Sequence, residues 1–171
     1  SSVHVTFCTK REHDLMGVAD WIQRVGRQFH WHNRGYETFD DFLGALTSRK
    51  RKMIRKERRQ VADQGIRVQA LSGDDIRPEH WDAFYQFYVD TYDRKWGYPY
   101  LTREFFEAAQ ARMGQKIVLV MADMDGLPVA GALNMRGTDA LYGRNWGCRG
   151  DFKFLHFEAC YYNGIEYAID N

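Results

Sequence analysis

The stretch "KIVLVMADMDGLPVAGALNMRGTDALYGRNWG" (116–147) constrains the fold most. Asp125-Gly126 lies between two apolar runs, which is the pattern of a two-residue hairpin turn. Gly137 to Asp139 supplies a second turn signal. Together they predict a three-stranded antiparallel meander. The run from Ile117 to Ala122 is apolar without interruption, so the first strand is expected to be buried on both faces.

Elements on either side are read from period and caps. "VHVTFC" (3–8) alternates and predicts a strand with Val3, Val5 and Phe7 on one face. Thr9 then caps a short helix, with Glu12 at the capping-box position. "DWIQRVGRQFHWHN" (20–33) predicts a hairpin: strands over 20–24 and 27–33, with a turn at Val25-Gly26. From about Phe39 a helical phase runs through Phe42, Leu43, Leu46, Met53, Ile54 and Val61. Lys50 and Glu57 interrupt this stripe, so its middle is expected to be exposed, and Gly65 is the stop.

"IRVQAL" (66–71) predicts a strand. Pro78 opens a helix in which Trp81, Phe84, Tyr85, Tyr88 and Tyr92 share one face, a spacing that suits core packing. "KWGYPY" (95–100) is an aromatic loop that suits either a substrate groove or a cover for the core. Thr102 caps a third helix ending at Gly114, and a last helix is expected from about Phe152 to Ile169. From residue 66 onward the order is β-α-α-β-β-β-α.

Charge is segregated. The chain carries 24 Lys and Arg against 23 Asp and Glu, yet eight of those cations and only one acid fall between Arg49 and Arg59. A basic segment therefore sits in an acidic body, whereas nucleic-acid-binding domains more often carry a basic face throughout. Three cysteines, Cys8, Cys148 and Cys160, with no Cys-x-x-Cys pattern, argue against a disulfide framework and a structural zinc site. His30 and His32 share one side of the expected strand but lack a matched third ligand, so no metal site is expected. The longest apolar run is too short to cross a bilayer and no signal peptide is visible, so the expected compartment is a reducing cytoplasm.

The order from residue 66 is similar to the first half of the fold of the GNAT superfamily of N-acyltransferases. The segments "SRKRKMIRKERR", "KWGYPYLTREFF" and "YGRNWGCRGDFKFLHFEACYYNGIEYAI" are more specific. They resemble the FemAB-like branch of predicted N-acyltransferases, associated with peptidoglycan biosynthesis or recognition. The resemblance covers most of the chain. It implies a mixed α/β, GNAT-like fold: a mainly antiparallel sheet flanked by helices.

Fem-type proteins hold two such lobes in tandem. The resemblance therefore implies an internal fragment. Residues 1–36 would close a first lobe, 37–65 would form a basic inter-lobe helix, and 66–171 would open a second lobe. In a permuted order, residues 3–33 would complete the sheet of 66–170. A chain cut through two lobes would also present unpaired strand edges, through which it would form a homodimer.

By the same resemblance the chemistry is attack of an amine on a thioester or an aminoacyl ester. Acyl-CoA or aminoacyl-tRNA would be the co-substrate, with no permanently bound cofactor. In GNAT proteins the helix after the fourth strand receives a pyrophosphate at its N-terminus, where free N–H groups and the helix dipole favour an anion. The matching loop here is "NWGCRGDFK" (145–153). It departs from the usual Arg/Gln-x-x-Gly-x-Gly/Ala pattern and offers Gly147, Arg149, Gly150 and Lys153 instead. That departure puts acetyl-CoA in doubt.

On the following helix, Glu158 is a candidate general base, and Tyr161 or Tyr162 a candidate proton donor to the leaving group. The simpler alternative makes Phe157, Tyr161 and Ile165 core and Glu158 a solvated charge. Cys160 reads as core. A reading from another class makes the helix 40–62 a nucleic-acid-binding module, or a face for a tRNA or another anionic ligand. A third makes the chain a non-catalytic lobe that recognises a peptide-like wall precursor.

Overall fold

The computed structural model describes residues 2–6, 8–94 and 97–171. Phe7 and the first two residues of the 95–100 loop lie outside these. The chain divides into two compact units, residues 1–32 and 33–171.

Among its described residues the first unit contains one helix, α1 (Lys10–Val18). Its capping box is formed as the sequence predicts. Thr9 Oγ1 accepts from the Glu12 N–H at 3.3 Å, and Glu12 accepts from the Thr9 N–H at 2.7 Å. The expected strand over 3–8 and the hairpin over 20–33 do not form among the described residues. Alternation marks a face, but a strand also needs a partner to take up its backbone hydrogen bonds. None of the described segments in 1–32 pairs with another. The sheet of the second unit draws its four strands from residues 66–148, and none of the described residues of 3–33 adds a strand to it.

The second unit starts with a break that sequence phase alone conceals. The helix expected to run on from Phe39 is two helices, α2 (Phe39–Gly44) and α3 (Ser48–Asp63). Thr38 and Asp41 form a capping box on α2, and Thr47 Oγ1 accepts from the Lys50 N–H to start α3. Arg51 turns back and donates to the carbonyls of Leu43, Gly44 and Leu46, satisfying the end of α2. Gly65, at φ +75°, ends the segment and leads into β1 (Ile66–Ser72).

β1 pairs with β2 (Ile117–Met124), β2 with β3 (Leu127–Arg136), and β3 with β4 (Leu141–Cys148), all antiparallel. Asp125 and Gly126 both have positive φ, as the two-residue turn requires. The helices α4 (Pro78–Arg94) and α5 (Arg103–Met113) intervene between β1 and β2. They cover one face of the sheet, where Trp81, Phe84, Phe87, Tyr88 and Phe106 meet Ile117, Leu119, Met121 and Leu133. The aromatic stripe of α4 is therefore core.

The opposite face packs α3 and the last helix. Val61 and Leu155 meet Ile66, Ala122 and Ala130, and Ala159 meets Val120 and Ala132. Odd and even positions of β2 thus face different apolar layers, which accounts for its unbroken run. Fully burying one such aliphatic side chain is worth about 1.5–3 kcal/mol. The last helix is not uniform. It opens as α over Leu155–Phe157, passes through a π-turn over Glu158–Tyr162, and returns to α over Asn163–Asp170. We call the whole (155–170) α6.

Candidate functional site

Two regions gather the candidate residues. The first is the seam between α3 and α6. Glu158 is buried, and Arg58 grips it: Nε lies 3.1 and 3.2 Å from its two carboxylate oxygens, and Nη2 lies 3.0 Å from Oε1. The same guanidinium holds Glu166 through Nη2 at 2.8 Å and stacks over the Phe39 ring at 4.6 Å. Beside it, the buried Tyr162 donates its hydroxyl to the Glu57 carboxylate.

The electrostatics follow from burial. Burial pushes the Glu158 carboxyl above its ordinary value, and the charge and hydrogen bonds of Arg58 only partly pull it back. Burial also works to lower Arg58, but its bonds to Glu166 and Glu158 outweigh this and leave it raised. Tyr162 is raised by burial and then by Glu57. An acid raised despite a bidentate cation is held by an expensive pair, with desolvation as the largest effect.

The π-turn decides which residues face this seam. Glu158, Tyr162 and Glu166 meet α3, whereas Phe157 and Tyr161 are about half exposed, at 46% and 51%. The expectation of a Phe157-Tyr161-Ile165 core stripe with a solvated Glu158 is therefore corrected. Only Ile165 of those three packs on the inner cluster, around Phe39 and Leu43. Glu158 and Tyr162 lie together at the seam. Tyr161 lies apart from them, packed on His156 and Phe157. Burial holds His156 below its ordinary value.

The second region is the junction between β4 and α6. Gly147 lets β4 approach α4: a Cβ there would sit 2.3 Å from the Phe87 carbonyl oxygen. Arg149 is exposed, and its N–H continues the sheet by donating to the Val129 carbonyl at 2.9 Å. Gly150 is exposed and its carbonyl accepts from the Cys148 thiol. The exposed Lys153 places its ammonium 5.1 Å from the Phe154 ring. Phe154 itself adopts φ +65°, a strained conformation for a bulky residue, and no side chain caps the helix start. The structure thus brings Arg149, Gly150 and Lys153 to one exposed turn, while Gly147 serves the strand–helix contact.

Sequence reasoning missed a bulge in β4. Leu133 pairs with Asn145 and Asn134 with Gly143, so Arg144 has no opposite number. Arg144 donates to the Tyr100 hydroxyl at 2.9 Å, and the Asn145 side-chain oxygen is buried without a partner among the described residues. The "GRN" triplet offered no signal for this. Of the 95–100 loop, the Tyr100 N–H donates to the Tyr88 hydroxyl, and Tyr98 is exposed. His30 and His32 stand 6.2 Å apart, and no group of three or more metal-ligating side chains occurs among the described residues. No helix among the described residues is long and apolar enough to cross a membrane.

A four-stranded antiparallel sheet layered between helices, with an exposed turn feeding a strained helix start, is consistent with a GNAT-like acyltransferase fold. The chain belongs to the FemAB-like family, described as peptidoglycan biosynthesis/recognition, which it matches over residues 1–171. No significant match was found among curated proteins.

Proposed function

We propose that this chain belongs to an N-acyltransferase that passes an acyl or aminoacyl group to an amine on a peptidoglycan or cell-envelope precursor. The observation that carries the reading is the FemAB-like match over residues 1–171. The amine nitrogen forms an amide bond, the C–S or C–O bond to the donor breaks, and the proton leaves the nitrogen for the leaving group. Arg149, Gly150 and Lys153 would meet the donor's phosphate, whether of acyl-CoA or aminoacyl-tRNA, at the uncapped start of α6. Tyr161, half exposed, is the candidate proton donor. Glu158 and Tyr162 act through the seam with α3, holding α6 in place, because both are already bonded there. Under this reading residues 66–171 form the opening half of an acyltransferase lobe.

The test is transfer of labelled acyl or aminoacyl group from acyl-CoA or aminoacyl-tRNA to a peptidoglycan-precursor peptide. In an active preparation, Arg149→Ala with Lys153→Ala should raise the KM for donor several-fold and leave melting unchanged. Tyr161→Phe should lower kcat. Precursor binding without transfer from either donor would replace the reading with recognition alone. Neither transfer nor precursor binding would overturn both.

A further inference from the structure

The eight cations between Arg49 and Arg59 do not act as one patch. Three are tied to partners: Arg51 on the end of α2, Arg55 on Asp40 at 2.8 Å, and Arg58 on Glu158 and Glu166, while Lys50 is exposed on another side of the helix. Arg49, Lys52, Lys56 and Arg59 are all exposed and carry no ion-pair partner among the described residues. Their spacings of three, four and three residues put them on one face of α3, in a line about 15 Å long. Met53, 41% exposed, lies between Arg49 and Lys56 on the border of that line.

We propose that this face of α3 is an electrostatic docking surface for an anionic lipid bilayer. The stripe lies on the exposed side of a regular helix; only Arg59, at its end, also borders the cavity lined by Phe39, Leu43 and Arg58. It therefore suits a plane of charge better than a shaped ligand. Long, solvated Lys and Arg side chains meet lipid phosphates without a fixed geometry, and clusters of four or more on one helix face are enough for such binding. The exposed Met53 side chain is accommodated among headgroups. The tethered arginines matter too, because they fix α3 to α2 and α6 and keep the free stripe pointing outward. The proposal does not depend on acyl transfer and stands or falls separately from it.

Sedimentation with vesicles tests it. The chain should bind vesicles of equal parts phosphatidylglycerol and phosphatidylcholine, and should not bind phosphatidylcholine alone. Binding should vanish near 1 M salt, where the screening length falls to about 3 Å. Each cation near the surface contributes about fivefold, or about 1 kcal/mol, to partitioning. The triple variant Lys52→Gln, Lys56→Gln, Arg59→Gln should therefore bind about a hundredfold more weakly. Its circular dichroism and melting should be unchanged, since none of the three has an ion-pair partner among the described residues. The control pair Arg67→Gln and Lys116→Gln, exposed but off the stripe, should bind as the parent does. No binding to anionic vesicles, or equal losses in the triple variant and the control, would overturn the proposal. So would tighter binding of a short RNA duplex than of the vesicles through the same three residues in the same buffer, which would assign the stripe to nucleic acid.

Discussion

Removing Arg58 and neutralising Glu158 should have very different effects, although the two share one ion pair. Arg58→Met keeps the apolar stem but leaves the buried Glu158 and its neighbour Glu166 without their cation. Breaking a buried pair from one side costs about 3–5 kcal/mol. The Arg58 side chain is 28% exposed, which lets water reach the seam and favours the lower end, about 3 kcal/mol. For a unit of this size that lowers the melting temperature by roughly 9 °C. Glu158→Gln is the opposite case. Because burial outweighs Arg58 in holding the Glu158 carboxyl above its ordinary value, the ionised form is the costly one. Stability from this group is fully present below about pH 4.5 and is lost as pH rises through its raised folded value. Glutamine resembles the protonated acid, so Glu158→Gln should lie within about 1 kcal/mol of the parent at pH 7, on the more stable side. The penalty of Arg58→Met should shrink on acidification as the orphaned Glu158 carboxyl takes up a proton. The double variant should recover about 2 kcal/mol of the Arg58→Met loss. Urea unfolding at pH 7 and pH 5 measures all four arms of the cycle. If Glu158→Gln is as damaging as Arg58→Met, pair attraction rather than desolvation governs the seam.

Two further outcomes follow from packing. Gly147→Ala drives a Cβ into the Phe87 backbone and should cost about 3 kcal/mol, whereas Gly150→Ala meets only the edge of the Phe152 ring and should cost under about 1 kcal/mol by thermal melting. Burial raises the Cys160 thiol to about 12 and raises Cys148 as well. An alkylating reagent near pH 8 should therefore spare both in the native chain and label all three cysteines after denaturation.

The sheet was legible because its signals are local. Asp125-Gly126 sets a turn by backbone conformation alone, and the apolar runs on either side need no distant partner to be read. The α4 stripe was legible for the same reason. The strands expected in 1–33 failed because alternation does not supply a pairing edge. The break at 45–47 was hidden because apolar phase carried across it, although Thr47 is a good cap. The site was much less legible. Glu158 is buried and paired with Arg58 from 100 positions away, and nothing near Glu158 in sequence announces that partner. Around the π-turn Glu158 and Tyr162 take the inward places expected of Phe157 and Tyr161, while Ile165 stays inward, a local change that a regular helical period does not show. The turn at 147–153 was found from its glycines and cations, but the work of Gly147 lay in a contact with α4.

That extra residue in α6 makes the helix a spacer of fixed length. At one end Leu155 is seated in the cluster with Val61, and at the other Glu166 is seated on Arg58, so both anchors lie on α3. Deleting any one residue between 158 and 162 would restore a regular helix. It would also rotate one half against the other by about 100°. One anchor would then have to leave its seat. Relatives that keep both anchors on α3 must therefore keep the length of this segment to the residue, even where its composition drifts.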